Sequence, residues 1–230
     1  MQNRKRIFAF VAIVACAVSC GFSILAADEE PVAAESPSKE PSPETTAQPT
    51  PSSVSPDKQW EYVGGDAPKL VRAGTKEAVV QFSCRDLSAP VWAPDSKRFA
   101  ISCAGGKGNE TSVYQLRDGQ WVAPEEALGN GDELMEQVGK LVEAQAKKKG
   151  MPKHTFLHMQ WWTVEPKQWL DASTLVVYAY MGERVHRQDG GDVGLGFGSH
   201  VLDTLKFDDA GKWKIAKTHR LSAKEVEEEQ

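Results

Sequence analysis

The chain has 230 residues, of which 26% are charged and 40% hydrophobic, and a formal net charge of −5 at pH 7. No basic patch dominates it, so a nucleic acid partner is not expected. Seven tryptophans in one modest chain predict a core or a binding surface rich in indole.

Arg4, Lys5 and Arg6 form a basic start, and residues 7–27 carry no charge. That is the pattern of an export signal. Three fates are open for it. A signal peptidase cuts after Ala27, or a lipoprotein peptidase cuts before Cys20, where Ala17-Val18-Ser19-Cys20 and the following Gly21 resemble a lipobox. In the third, the segment stays as an anchor, because ~20 apolar residues can cross a bilayer. Each fate puts the rest of the chain outside the cytoplasm, as a periplasmic, secreted or membrane-anchored protein. Residues 28–59 follow, with seven prolines, many Ser and Thr and no aromatic residue. Such a stretch cannot bury enough apolar surface to offset the entropy of ordering it, so it reads as a disordered tether.

Residues 60–222 are left for one globular domain. Residues 78–84 read as a strand with Val80, Phe82 and Cys84 on one face. Residues 90–103, PVWAPDSKRFAISC, read as strand, tight turn and strand. Pro94, Asp95 and Ser96 supply the turn, and Phe99, Ile101 and Cys103 alternate with Arg98, Ala100 and Ser102, the period of a half-buried strand. This segment resembles the repeat of β-propeller blades of the type found in the Tol-system translocation protein. The resemblance covers about one blade and implies a hairpin rather than a chemistry. Residues 104–109 read as a flexible loop, and Asp118-Gly119 turns the strand 111–117 back through Trp121.

Leu134, Met135, Val138, Leu141 and Val142 recur at helical spacing over 132–149. Asn130 and Glu133 resemble a capping box, Glu136 and Lys140 stand at i,i+4, and Gly150 with Pro152 stops the helix. A second β unit then repeats the plan of the first: a strand over 155–164, a turn at 170–173, strands over 175–181 and 200–207, and a return through Trp213. The expected fold class is therefore α+β, mainly antiparallel β, with two propeller-blade-like units flanking one amphipathic helix. Two blades cannot close a propeller, so they must pack on each other, on the helix or on another chain. Residues 223–230 read as a solvated acidic tail.

Cys84 and Cys103 are the two cysteines of the domain, and export favours a disulfide between them over two buried thiols. The stretch 182–199 holds six glycines and reads as a long hairpin loop. His186, Asp189, Asp192 and His200 have the composition of a metal site but no recognised ligand spacing. His154 and His158 share one strand face, with no third ligand in evidence. No cofactor motif and no G-x-S-x-G elbow occur. The leading expectation is a non-enzymatic exported module that binds a protein partner in the cell envelope from a flexible tether. The alternative is a small ligand- or metal-binding protein, or a hydrolase, with its site near 182–199 beside His154, His158 and His200. A reporter active only outside the cytoplasm, fused behind residues 1–27, is expected to become active. Fatty-acid label lost on Cys20→Ala then marks lipidation, and an inactive reporter refutes export.

Overall fold

A computed structural model describes residues 53–84 and 86–229. The export signal, the lipidation candidate Cys20 and residues 28–52 lie outside the described residues. Residues 53–59, placed in the tether by composition, are part of the fold: Val54 bridges to Glu61, and Ser55 is buried with its hydroxyl accepting from the Trp60 amide at 3.0 Å.

Three short strands, β1 (Trp60–Val63), β2 (Lys69–Arg72) and β3 (Ala78–Gln81), make one small antiparallel sheet. The expected strand over 78–84 thus ends early and pairs with β2 rather than with the hairpin that follows. The hairpin opens a four-stranded meander: β4 (Val91–Trp92), β5 (Arg98–Ala104), β6 (Gly108–Arg117) and β7 (Gln120–Val122). After helix α1 (Glu133–Lys149) comes a second meander of longer strands: β8 (Thr155–Trp169), β9 (Thr174–Arg187), β10 (Asp192–Phe207) and β11 (Trp213–Arg220). The fold is α+β and mainly antiparallel β. Both meanders open their first turn with an aspartate whose carboxylate accepts a main-chain amide two residues on, Lys97 from Asp95 at 3.0 Å and Ser173 from Asp171 at 2.7 Å.

The two meanders are one sheet, because β6 and β8 pair in parallel through Gly108 opposite Trp162 and Asn109 opposite Thr163. The segment 104–109 is therefore not a free loop. A Cβ at position 108 would fall inside the Trp162 carbonyl, so only glycine lets the backbones meet. Strand β5 is buried on both faces, not half-buried. Phe99 and Ile101 face an aromatic cluster with Trp60, Tyr62, Phe82, Trp92, Tyr114 and Trp121. Arg98, Ala100 and Ser102 face the second meander. Cys103, on the aromatic side, is disulfide-bonded to Cys84.

Helix α1 lies on the inner face of β9 and β10, where Leu134, Val138, Val142 and Ala146 pack with Leu175, Val177, Ala179, Val201 and Leu205. Its N-cap is Asp132 rather than Asn130, with the carboxylate accepting from the Met135 amide at 3.1 Å. Gly150 caps the other end in the left-handed conformation, and Glu136 pairs with Lys140 at 2.7 Å. The acidic tail is also structured. It forms a second helix, α2 (Ala223–Glu229), whose start is a Ser222–Glu225 capping box, and Glu225 also bonds His219 at 2.8 Å.

Beneath α1, Asp203 is fully buried; Thr218 and Gln137 donate to its Oδ1, while Oδ2 has no partner. Burial pushes its carboxyl above the ordinary value of 3.8, against those two hydrogen bonds. A raised folded-state pKa means that the neutral form supports the fold. That support is full below the unfolded value and is lost as pH rises through the folded one. Asp203→Asn is therefore expected to melt above the parent at pH 7, with the gap closing as pH falls to 3.8 and below; a gap independent of pH refutes this. Gly108→Ala is expected to cost about 3 kcal/mol or more, the upper range for overpacking, read from denaturant melts. A variant that melts like the parent refutes the close approach.

Candidate functional site

Strand β9 alternates cleanly. Leu175, Val177, Ala179 and Met181 point under the helix, while Tyr178 and Tyr180 are half-buried on the opposite face. The register continues that outer face onto both neighbours. Tyr178 lies between Glu165 and Leu202, Tyr180 between Thr163 and His200, and Gly182 between Trp161 and Gly198. Arg184 lies between His158 and Gly196, and His186 between Phe156 and Asp192.

The glycines of the 182–199 stretch explain how the rings sit. A Cβ at Gly182 would collide with the Tyr180 hydroxyl and stand 2.5 Å from Trp161 Nε1; one at Gly198 would stand 3.0 Å from the Tyr180 ring. The rings thus lie over bare backbone, which glycine alone provides. Trp161 Nε1 donates to the Tyr180 hydroxyl at 2.9 Å, and Tyr180 stacks on His200 with centroids 4.3 Å apart. His200 Nδ1 shares a 2.6 Å hydrogen bond with the Tyr178 hydroxyl. Burial lowers the His200 pKa, so the imidazole in this row is neutral at neutral pH. The Arg184 guanidinium stands 6.0 Å from the Trp161 ring, and the Lys167 ammonium 5.2 Å from Tyr178. The result is a row of four rings, Trp161, Tyr180, His200 and Tyr178, locked by hydrogen bonds and bordered by two cations. Trp161 and Phe156 are each 45% exposed, well beyond what a core aromatic shows.

The metal candidates do not converge. The stretch expected as a loop is the paired end of β9 and β10, and its turn is confined to 188–191. His186 stands opposite Asp192, but His200 stands opposite Tyr180, six residues down β9, or roughly 20 Å away at the strand rise. The carboxylates are engaged elsewhere: Asp192 pairs with Arg184 at 2.9 Å and Asp189 with Arg187 at 3.6 Å. His158 and His186 do meet, edge to face at 5.3 Å, whereas His154 lies in the turn that leads into β8. Among the described residues no group of three or more His, Cys, Asp or Glu side chains is placed to hold a metal ion. The ring row went unread because its members come from three strands. Its sequence signals are Tyr178, Tyr180 and Gly182 at a spacing of two, and Gly196, Gly198 and His200 at the same spacing. Comparison with protein-family models gives no match, and comparison with curated proteins gives none.

Proposed function

We propose that this chain is an exported module of the cell envelope that binds a protein partner through the outer aromatic face of its second meander. The observation that carries the reading is the row Trp161–Tyr180–His200–Tyr178. Large rings fixed by mutual hydrogen bonds lose little entropy when a partner covers them, and such residues dominate interface energetics. The fold does not require those rings to be outside, since the core has its own aromatic cluster. Export is supported by the basic and apolar start, by the proline-rich stretch behind it and by the Cys84–Cys103 disulfide, which suits a compartment outside the reducing cytosol. The two meanders are read as blade-like units, because strand order and the position of the first Asx turn repeat between them.

The test places a photo-cross-linking residue at position 158, on the rim of the face, and in a second version at Lys140 on the exposed side of α1. In intact cells the first is expected to give a discrete adduct and the second none. Trp161→Ala should reduce that adduct roughly tenfold while changing stability by no more than about 1 kcal/mol, because an exposed indole contributes little to the fold. Adducts of equal yield from both positions, or indifferent to Trp161, refute the reading.

A further inference from the structure

The far end of the second meander, where β8 and β10 begin and β9 ends, exposes apolar side chains that the core does not use. Among the described residues ten large hydrophobic side chains are exposed, and five of them are here: Phe156, Met159 and Trp161 on β8, Val193 and Leu195 on β10. The register gathers them. Phe156 stands across His186 from Asp192, and Met159 across Glu183 from Phe197. Between the pairs Asp192–His186 and Gly196–Arg184, β10 has three residues where β9 has one. The excess is a bulge, Val193-Gly194-Leu195, built on a left-handed Gly194 whose amide donates to the Asp192 carboxylate at 2.7 Å. It leaves Val193 and Leu195 each 39% exposed. Apolar side chains gathered in the open mark a surface that meets something other than water.

The same end is basic. Helix α1 finishes on Lys147, Lys148 and Lys149, and only residues 150–154, with Lys153 among them, separate it from β8. The Gln188 amide donates to the His154 carbonyl at 3.2 Å, so this connection abuts the β9–β10 turn. Lys149 Nζ stands 5.8 Å from the centre of the Phe197 ring. All four lysines are exposed, and no carboxylate of the described residues pairs with them. The nearby acids are engaged or withdrawn. Asp192 pairs with Arg184 and Asp189 with Arg187, while Glu183 is half-buried, its carboxyl raised by burial and by Glu143 of α1. We propose that this end rests on an anionic lipid surface, Phe156, Met159, Val193 and Leu195 entering the headgroup layer and the four lysines meeting the lipid phosphates. Binding in the plane of a membrane surface combines buried apolar side chains with basic residues beside them. A protein partner suits this end less well, because the cores of protein interfaces are depleted of lysine. The inference goes beyond the ring row and does not rest on it, since the four apolar residues lie outside that row.

The experiment uses the full chain with a fluorescent amino acid in place of Leu195 and, in a second version, in place of Lys140 on the exposed side of α1. Each is mixed with phosphatidylcholine vesicles that carry nitroxide-labelled lipid, with or without phosphatidylglycerol. The quencher reads the labelled position alone, so attachment of the chain through residues 1–27 does not imitate the result. With phosphatidylglycerol present, quenching at position 195 is expected to exceed that at position 140 at least about fivefold, because only the first enters the lipid layer. In Lys147→Gln/Lys148→Gln/Lys149→Gln the quenching at 195 is expected to fall at least about fivefold, as each basic residue near an anionic surface adds several-fold to binding. Added salt should weaken it in the same direction. Phe156→Ser/Met159→Ser should also reduce it while leaving the melting temperature unchanged, since both side chains are exposed. Quenching that is equal at the two positions, or indifferent to phosphatidylglycerol and to the lysines, overturns the proposal. A protein adduct from position 158 with no lipid quenching at 195 keeps the ring row as the contact and overturns the membrane docking alone.

Discussion

The structure depends on a seam in which side chains of the first meander donate to main-chain carbonyls of the second. Arg98 serves Ala172 and Asp208, Thr111 serves Val164 at 2.7 Å, Ser102 serves the same carbonyl at 3.5 Å, and Gln115 serves Asp209 at 3.3 Å. One bond runs back, from Trp169 Nε1 to the Val91 carbonyl at 3.0 Å. Apart from the exposed Gln115 bond these are buried or part-buried, and an unmet buried carbonyl there would cost about 1–3 kcal/mol each. The seam therefore fixes where the second meander stands. Gly108 sets how near it can come, since the parallel pairing with Trp162 has no room for a side chain.

With that placement settled, the two aromatic populations have different roles. Trp60, Phe82, Trp92, Phe99, Tyr114 and Trp121 close the space between the small sheet and β5, with Phe99 stacked on Tyr114 at 4.8 Å. Trp161, Tyr180, His200 and Tyr178 lie instead on the face that no other described element covers. The same sheet buries aliphatic residues under α1 on its other side, so the rings are not needed there to drive folding. Glycines at 182 and 198 would weaken an ordinary strand, yet here they let Tyr180 and Trp161 lie flat.

Charge follows a similar division. Inside, Asp203 and the half-buried Glu183, whose carboxyl is raised by burial and by repulsion from Glu143, are carboxylates held toward their neutral form. At the β10–β11 turn, Arg98 donates to the Ala172 and Asp208 carbonyls and Arg117 to the Gln115 side chain.

The sequence by itself determined the elements whose signals are local. Helix α1 was legible from its apolar stripe and from Gly150 with Pro152, and the hairpin at 94–96 from its turn chemistry. The repeated meander was legible from the matched turns at Asp95 and Asp171. The pairing of Cys84 with Cys103 was legible because they are the two cysteines of residues 60–222, although β3 pairs with β2 and not with β5. Less local signals failed. Strands β1 and β2 were too short to show alternation, and Asp132 outcompeted Asn130 as the cap by lying one residue before the helix. Only tertiary structure decided what the polar residues of β5 do: Arg98 and Ser102 have the period of a solvent face, but the second meander covers them and turns them into its anchors. It likewise decided that 182–199 is two strand ends around the turn 188–191, because Gly182 and Gly198, which look like loop residues in one dimension, become the floor beneath rings delivered by β8 and β9. Register across three strands, which no single stretch of sequence encodes, separated His200 from His186 and Asp192 and brought it to Tyr180 instead.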